Sequence, residues 1–125
     1  MKRLPALLLS LLLLVMLLPV EAMAVDTMTI SAEGLAFIQE FEGFEEYAYE
    51  DGGNWYIGYG TQCERDEYPY GITQEEATEL MLEHLEEQET RVNVFLNQYQ
   101  IQLEQYQFDA LMSLTYNLGT TWINP

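Results

Sequence analysis

Apolar residues recur three and four positions apart over most of this chain; where that rhythm breaks, the residues turn aromatic and glycine-rich. Ser31 suits a helix N-cap, and Leu35, Ile38 and Phe41 follow at helical spacing down one face. Gly43 is placed to stop that helix, with Glu42 in or beside its last turn. Residues 47–49 and 55–59 are rich in Tyr, Trp and Ile around Asp51-Gly52-Gly53-Asn54, a pattern that predicts a β-hairpin. From Gln62 to Gly71 the chain is polar, broken by Pro69 and Gly71, and reads as loop. Thr73-Gln74-Glu75-Glu76 has the form of a capping box. The helix behind it carries Ala77, Leu80, Met81, His84 and Leu85 on one face and glutamates on the other. It should run to about Arg91, with Val92, Phe95, Leu96 and Tyr99 resuming the spacing after a bend. A last helix carries Phe108, Leu111, Met112, Thr115 and Tyr116 and should end at Gly119. The class expected is α+β: one helix, a hairpin, then helices.

The first 24 residues stand outside that pattern. Lys2 and Arg3 precede a leucine-rich run from Leu4 to Val20, and Ala22-Met23-Ala24 follows. A basic head, an apolar middle and small residues two apart make a secretory signal, with cleavage expected after Ala24. The competing reading is an uncleaved anchor, since the run nearly reaches the ~20 residues of a spanning helix. Pro19 and the Ala-Met-Ala site favour cleavage. The expected division is therefore a signal peptide over 1–24 and one domain over 25–125, secreted and without stable membrane association once cleaved. A segment of about a hundred residues buries a marginal core. Residues 25–30 read as a short extended leader.

Charge narrows the partners. The whole chain carries four basic residues, 21 acids and a formal charge of −17. Without Lys2, Arg3 and Glu21, Arg65 and Arg91 face 20 acids, a balance of −18. Such a surface repels nucleic acid and anionic lipid. Cys63 is the sole cysteine, so no disulfide within the chain is possible; it is free, pairs between chains, or has lost its partner.

Chemistry is narrowed mainly by exclusion. The single histidine, His84, lies mid-helix, where a helix-face residue without function is the simpler reading than a triad member. A dedicated zinc site needs more His and Cys than the chain has, and no phosphate-binding, dinucleotide or calcium-loop spacing occurs. No metal or cofactor is expected, and Glu64, Asp66 and Glu67 read as a solvated loop. Carboxylates remain. Glycoside cleavage needs one protonated carboxyl for the leaving oxygen and one ionised carboxylate for water or carbon. Glu42 suits the first role: it is near a helix C-terminus, where the dipole opposes negative charge, amid Glu40, Glu45, Glu46 and Glu50. Asp51 opens the hairpin turn, where backbone N–H groups are expected to hold it ionised. On composition alone, one glutamate among many and a plain Asp-Gly turn explain both positions.

Motifs change that balance. Phe41-Glu42-Gly43-Phe44, Tyr49-Glu50-Asp51 and Ile57-Gly58-Tyr59-Gly60 together resemble the phage-type lysozyme (endolysin) family of muramidases, glycoside hydrolase family 24-like. That family pairs a helix-ending Glu-Gly with an aspartate, eight residues separating it from the glutamate, then an Ile-Gly-Tyr-Gly strand, as here. Ile72-Thr73-Gln74-Glu75-Glu76-Ala77, Gln107-Phe108-Asp109-Ala110-Leu111 and Tyr116-Asn117-Leu118-Gly119 continue the resemblance, which covers 30–119. Each motif alone is weak, but their common order is specific.

The resemblance implies a lysozyme-like α+β fold: an N-terminal helix, a small β-hairpin lobe carrying the active site, then a helical lobe. It implies hydrolysis of the β-1,4 bond between N-acetylmuramic acid and N-acetylglucosamine in bacterial peptidoglycan, with inversion. Glu42 would be general acid and Asp51 the base or water-positioning carboxylate, without cofactor. Three departures stand out. Tyr56 occupies the place of a threonine that serves as third catalytic residue, the turn after Asp51 is one residue shorter, and Thr61 stands where histidine is common. Tyr56 and Thr61 are expected to bind substrate, nearer to it than Trp55. The family's helical lobe continues further, so the lobe here is expected to be incomplete, leaving Leu111, Met112 and Tyr116 uncovered. Alternatives kept open are a lytic transglycosylase, which Asp51 argues against, a catalytically silent glycan-binding member, and an acidic interaction protein with no glycan role.

Overall fold

A computed structural model describes residues 27–123. The signal segment 1–24 lies outside these residues, as do Asn124 and Pro125. The order of elements is α1 (Ala32–Glu42), β1 (Glu45–Asp51), β2 (Asn54–Gly58), β3 (Thr61–Cys63), α2 (Gln74–Gln98) and α3 (Gln105–Leu118). The α+β arrangement read from the sequence is present.

Local sequence explains each boundary. The Ser31 hydroxyl accepts from the Gly34 N–H at 3.1 Å and starts α1, which ends on Glu42 with Gly43 as its cap. Gly52 and Gly53 both have positive φ, 60° and 87°, as a two-residue type I′ hairpin turn requires. Nothing approaches either glycine within 4 Å, so backbone conformation, not space, selects them. Thr73 and Glu76 form the anticipated capping box at the start of α2. Gly119 ends α3, its N–H donating to the Thr115 carbonyl at 2.8 Å.

Two expectations need correction. The polar run after Gln62 is not all loop: Thr61–Cys63 pairs antiparallel with β2, giving a three-stranded sheet ordered β1-β2-β3. A three-residue strand carries too little periodicity to be seen alone; pairing to β2 makes it a strand. Nor does the long helix stop or bend near Arg91, for α2 continues unbroken to Gln98. Asn93 explains this continuity. Its side chain takes the Met28 N–H and donates to the Met28 and Glu89 carbonyls, all at 2.8 Å, so a polar residue inside the helix is satisfied by the leader.

The core lies where α2 meets the sheet and α3. Ile38, Ile57, Ala77, Met81, Val92, Phe108 and Met112 are wholly buried. Met112 is thus covered, contrary to expectation, while Leu111 and Tyr116 are half-buried. Gly58 makes the close approach that docks the sheet. A Cβ there would stand 2.8 Å from that of Ala77, and its φ of +64° independently favours glycine.

Helices α1 and α3 meet at a polar joint. Asp109 accepts from the Ser31 N–H at 2.9 Å and the Ser31 hydroxyl at 2.6 Å, and Gln105 donates to it at 2.9 Å. Burial pushes the Asp109 carboxyl up, but these donors outweigh it and leave the group below its ordinary value. Gly34 faces the same carboxylate, which a Cβ would meet at 2.6 Å.

Candidate active site

Glu42 is delivered to the site by α1. As the last helical residue it turns its carboxyl toward the β2–β3 connection, with Oε2 lying 3.8 Å from where a Cβ on Gly60 would stand. Its other oxygen, Oε1, is sealed from solvent and takes no hydrogen bond from the protein. A buried carboxyl oxygen without a partner is costly in a folded chain and is found where an incoming group is to be met.

Asp51 is supplied by the end of β1, opposite Asn54. It is exposed. Among the described residues its side chain accepts no hydrogen bond, so the backbone N–H groups expected to hold it do not. The type I′ turn gives the reason: Asp51 belongs to the strand, and the pleat carries its side chain onto the face of Tyr49 rather than over the turn. A carboxylate free of protein donors is available to water.

Tyr49, two residues before Asp51 on β1, is influenced by both carboxyls. Burial is the largest influence raising its pKa, and the charges of Glu45, Asp51 and Glu42 add to it, so one phenol lies within electrostatic reach of both candidate residues. Tyr49 pairs with Tyr56 across the sheet, and their rings are 5.9 Å apart. Sequence reasoning did not single out Tyr49, although its position two residues before Asp51 carried the signal, since alternate strand residues share a face.

Tyr56 and Thr61 are not brought together. Tyr56 pairs with Gln62 and Thr61 with Ile57, so the pleat sends them to opposite faces. Tyr56 is half-buried on the face of Tyr49 and Asp51. The Thr61 hydroxyl is buried and has no hydrogen-bond partner. It lies close to the phenol of Tyr116, whose hydrogen goes to the Tyr59 carbonyl at 2.6 Å. Trp55 faces away from Tyr56, with the Arg65 guanidinium 5.5 Å above its ring.

Tyr116 stands on a helix face packed against the core, as expected, but its reach into the site was not foreseen. It meets the site only through tertiary contact, 57 residues from Tyr59 in the chain. Its pKa is pushed up to about 12, chiefly by burial, with the Glu42 charge adding and the Thr61 hydroxyl opposing. The phenol therefore stays protonated through the physiological range. His84 is exposed rather than on the buried stripe, and its ring meets Tyr116 edge-on at 5.7 Å.

A separate cavity of about 200 Å³, lined by Arg91, Val94, Phe95, Tyr99, Thr120 and Ile123, includes none of the candidate residues.

Known proteins place this geometry in context. The sequence profile of the family described as Phage lysozyme matches residues 39–124. An endolysin of Acyrthosiphon pisum secondary endosymbiont phage 1 is 36% identical over 96 residues, covering 75% of this chain and 62% of that protein. The endolysin from Escherichia coli O157:H7 phage FAHEc1 superposes with a TM-score of 0.65 at 36% identity, over 77% of this chain and 61% of its own. The muramidase domain of SpmX from Asticaccaulis excentricus does so at 0.65 and 32%, over 76% and 63%. The chain thus spans just under two thirds of the length of these relatives, and the family match begins in the last turn of α1, which holds Glu42, and takes in the sheet and α2.

Proposed function

The chain belongs to the phage lysozyme family, and from that premise we propose that it is a secreted lysozyme hydrolysing the β-1,4 bond between N-acetylmuramic acid and N-acetylglucosamine in bacterial peptidoglycan. The observation that carries this reading is the pair of carboxyls in unlike settings. Glu42 has one oxygen buried and without a protein partner, while Asp51 is exposed, with Tyr49 within electrostatic reach of both. Glu42 donates its proton to the leaving glycosidic oxygen. Asp51 acts on the attacking water, as base or by positioning it. Tyr56, which shares the face of Tyr49 and Asp51, contacts the glycan; the Thr61 hydroxyl, buried beside Tyr116 on the other face, is too enclosed to do so. Export relies on the segment ending at Ala24; among the described residues no helix is long and apolar enough to cross a membrane.

One feature favours a second reading, a silent glycan-binding member: Tyr56 stands where the family has its third catalytic residue, and its ring is occupied with Tyr49. Muropeptide analysis of purified wall, incubated with residues 25–125 or with the Glu42→Gln variant, separates the alternatives. New reducing ends carrying solvent oxygen, lost in the variant, are the result expected. Anhydro sugars would indicate a lytic transglycosylase. Retention on the wall without cleavage would favour the silent reading, and no retention an interaction protein unrelated to glycan.

A further inference from the structure

We infer that Tyr116 is a positioning residue for this site, its phenol fixing the Tyr59-Gly60 backbone that lies beside the Glu42 carboxyl. The inference rests on the muramidase reading and assigns a role to a residue far from the two carboxyls in the chain. Three observations carry it. The Tyr116 hydroxyl donates to the Tyr59 carbonyl at 2.6 Å, a short bond joining α3 to the β2–β3 connection. Gly60, the next residue, lies beside Glu42, whose Oε2 is 3.8 Å from where a Cβ on Gly60 would stand. The buried Thr61 hydroxyl lies beside the same phenol, and the Glu42 charge is within electrostatic reach of it.

The segment is held from several sides. The Tyr59 ring packs 5.8 Å from that of Phe44, two residues beyond Glu42. Behind Tyr116, Gln88 of α2 donates to the Thr115 carbonyl and bonds His84, each at 3.1 Å, and His84 abuts the Tyr116 ring. A connected path of contacts therefore runs from α2 through Tyr116 to Tyr59, Gly60 and Glu42. Because the phenol's only hydrogen is committed to Tyr59, it presents a lone pair, not a donor, to the Glu42 side. It does not compete with substrate for the proton a general acid must deliver; it sets where that acid stands. Displacement of about 1 Å in such a group is enough to slow turnover strongly.

Tyr116→Phe removes the hydroxyl and keeps the ring against His84. The test compares kcat and KM for soluble peptidoglycan fragments, well below the melting temperature of both proteins, together with amide hydrogen exchange over residues 58–61. We expect kcat to fall about tenfold, KM to change less than twofold, and exchange at Gly60 and Thr61 to quicken. Lowered melting temperature with kcat unchanged would mean a purely structural tether and would overturn the inference. Should the unsubstituted protein cleave nothing, the muramidase reading fails separately. Exchange then decides: quickening at Gly60 and Thr61 keeps the tether, and unchanged exchange overturns it.

Discussion

At the scale of single residues, the two carboxyls differ in what a substitution removes. Glu42→Gln keeps the size of the side chain and deletes the proton donor, so wall hydrolysis should fall at least ~100-fold with the fold intact. Asp51→Asn should cost on the order of 100-fold as well, because a neutral amide neither accepts a proton from water nor orients it as a carboxylate does. Glu45→Gln and Glu46→Gln serve as controls and should cost little, both being exposed strand positions. Initial rates of muropeptide release measure all four, and undiminished turnover in Glu42→Gln would falsify the assignment. The spacing of Glu42 and Asp51 was legible in the sequence because it is short-range: a helix end, a strand and a two-residue turn fix it. The partner of Tyr116 was not legible, since it is contributed by a different element, although the Tyr116–Gly119 motif marked the residue itself.

At the scale of elements, the α1–α3 joint is where a small change should be felt most. Gly34→Ala gains up to ~1 kcal/mol of helix propensity, but the added methyl meets the Asp109 carboxyl at 2.6 Å. Overpacking of this kind costs about 1–3 kcal/mol, so the clash wins and the melting temperature should drop by several degrees. An unchanged or higher melting temperature would show that Asp109 swings aside freely. The same joint responds to pH. The folded-state pKa of Asp109 is depressed, burial being outweighed by the Ser31 and Gln105 donors, and that of Glu76 is depressed by its backbone and side-chain bonds to Thr73. A depressed carboxyl pKa contributes stability that is present above the unfolded value, ~4, and lost as pH falls through the folded one. Melting temperature should therefore decline below about pH 4, and Asp109→Asn should flatten that decline while lowering stability at neutral pH. An acid limb equally steep in the variant would assign the loss to other groups.

Across the whole molecule, charge and exposed apolar surface dominate. If residues 25–125 carry −18, approach to an anionic wall is repulsive, and screening should help. The Debye length falls from ~30 Å at 0.01 M salt to ~10 Å at 0.1 M. Wall hydrolysis should rise over that range or with millimolar divalent cations, while cleavage of short uncharged chito-oligosaccharides, where it occurs, responds much less. A steep fall with salt would mean that a local basic contact, through Arg65 or Arg91, guides binding instead. Little internal pairing offsets this charge: among the described residues the one ion pair is Arg91–Glu87, at 3.0 Å on the surface, a kind worth little. Phe37 and Phe41 on α1 and Leu114 and Leu118 on α3 are half exposed or more, on two helices that pack together. Binding of a hydrophobic dye by the folded protein is the expected consequence, and substitution of these four by polar residues should abolish it.

The sequence by itself determined the elements whose causes are local. Ser31, Thr73 and Gly119 mark helix ends because they satisfy or release backbone groups within a few residues, and Gly52-Gly53 sets the hairpin because its φ values are positive. The family followed from the order of several short motifs along residues 30–119. Tertiary structure alone decided the rest. β3 exists because β2 offers hydrogen bonds to three residues that have no pattern of their own. α2 passes Asn93 unbroken because the leader satisfies that side chain. Gly58 is fixed by the Cβ of Ala77, 19 residues away. Tyr116 reaches Tyr59 because α3 packs beside α1, and that packing depends on how buried surfaces fit, which no periodicity along one segment encodes.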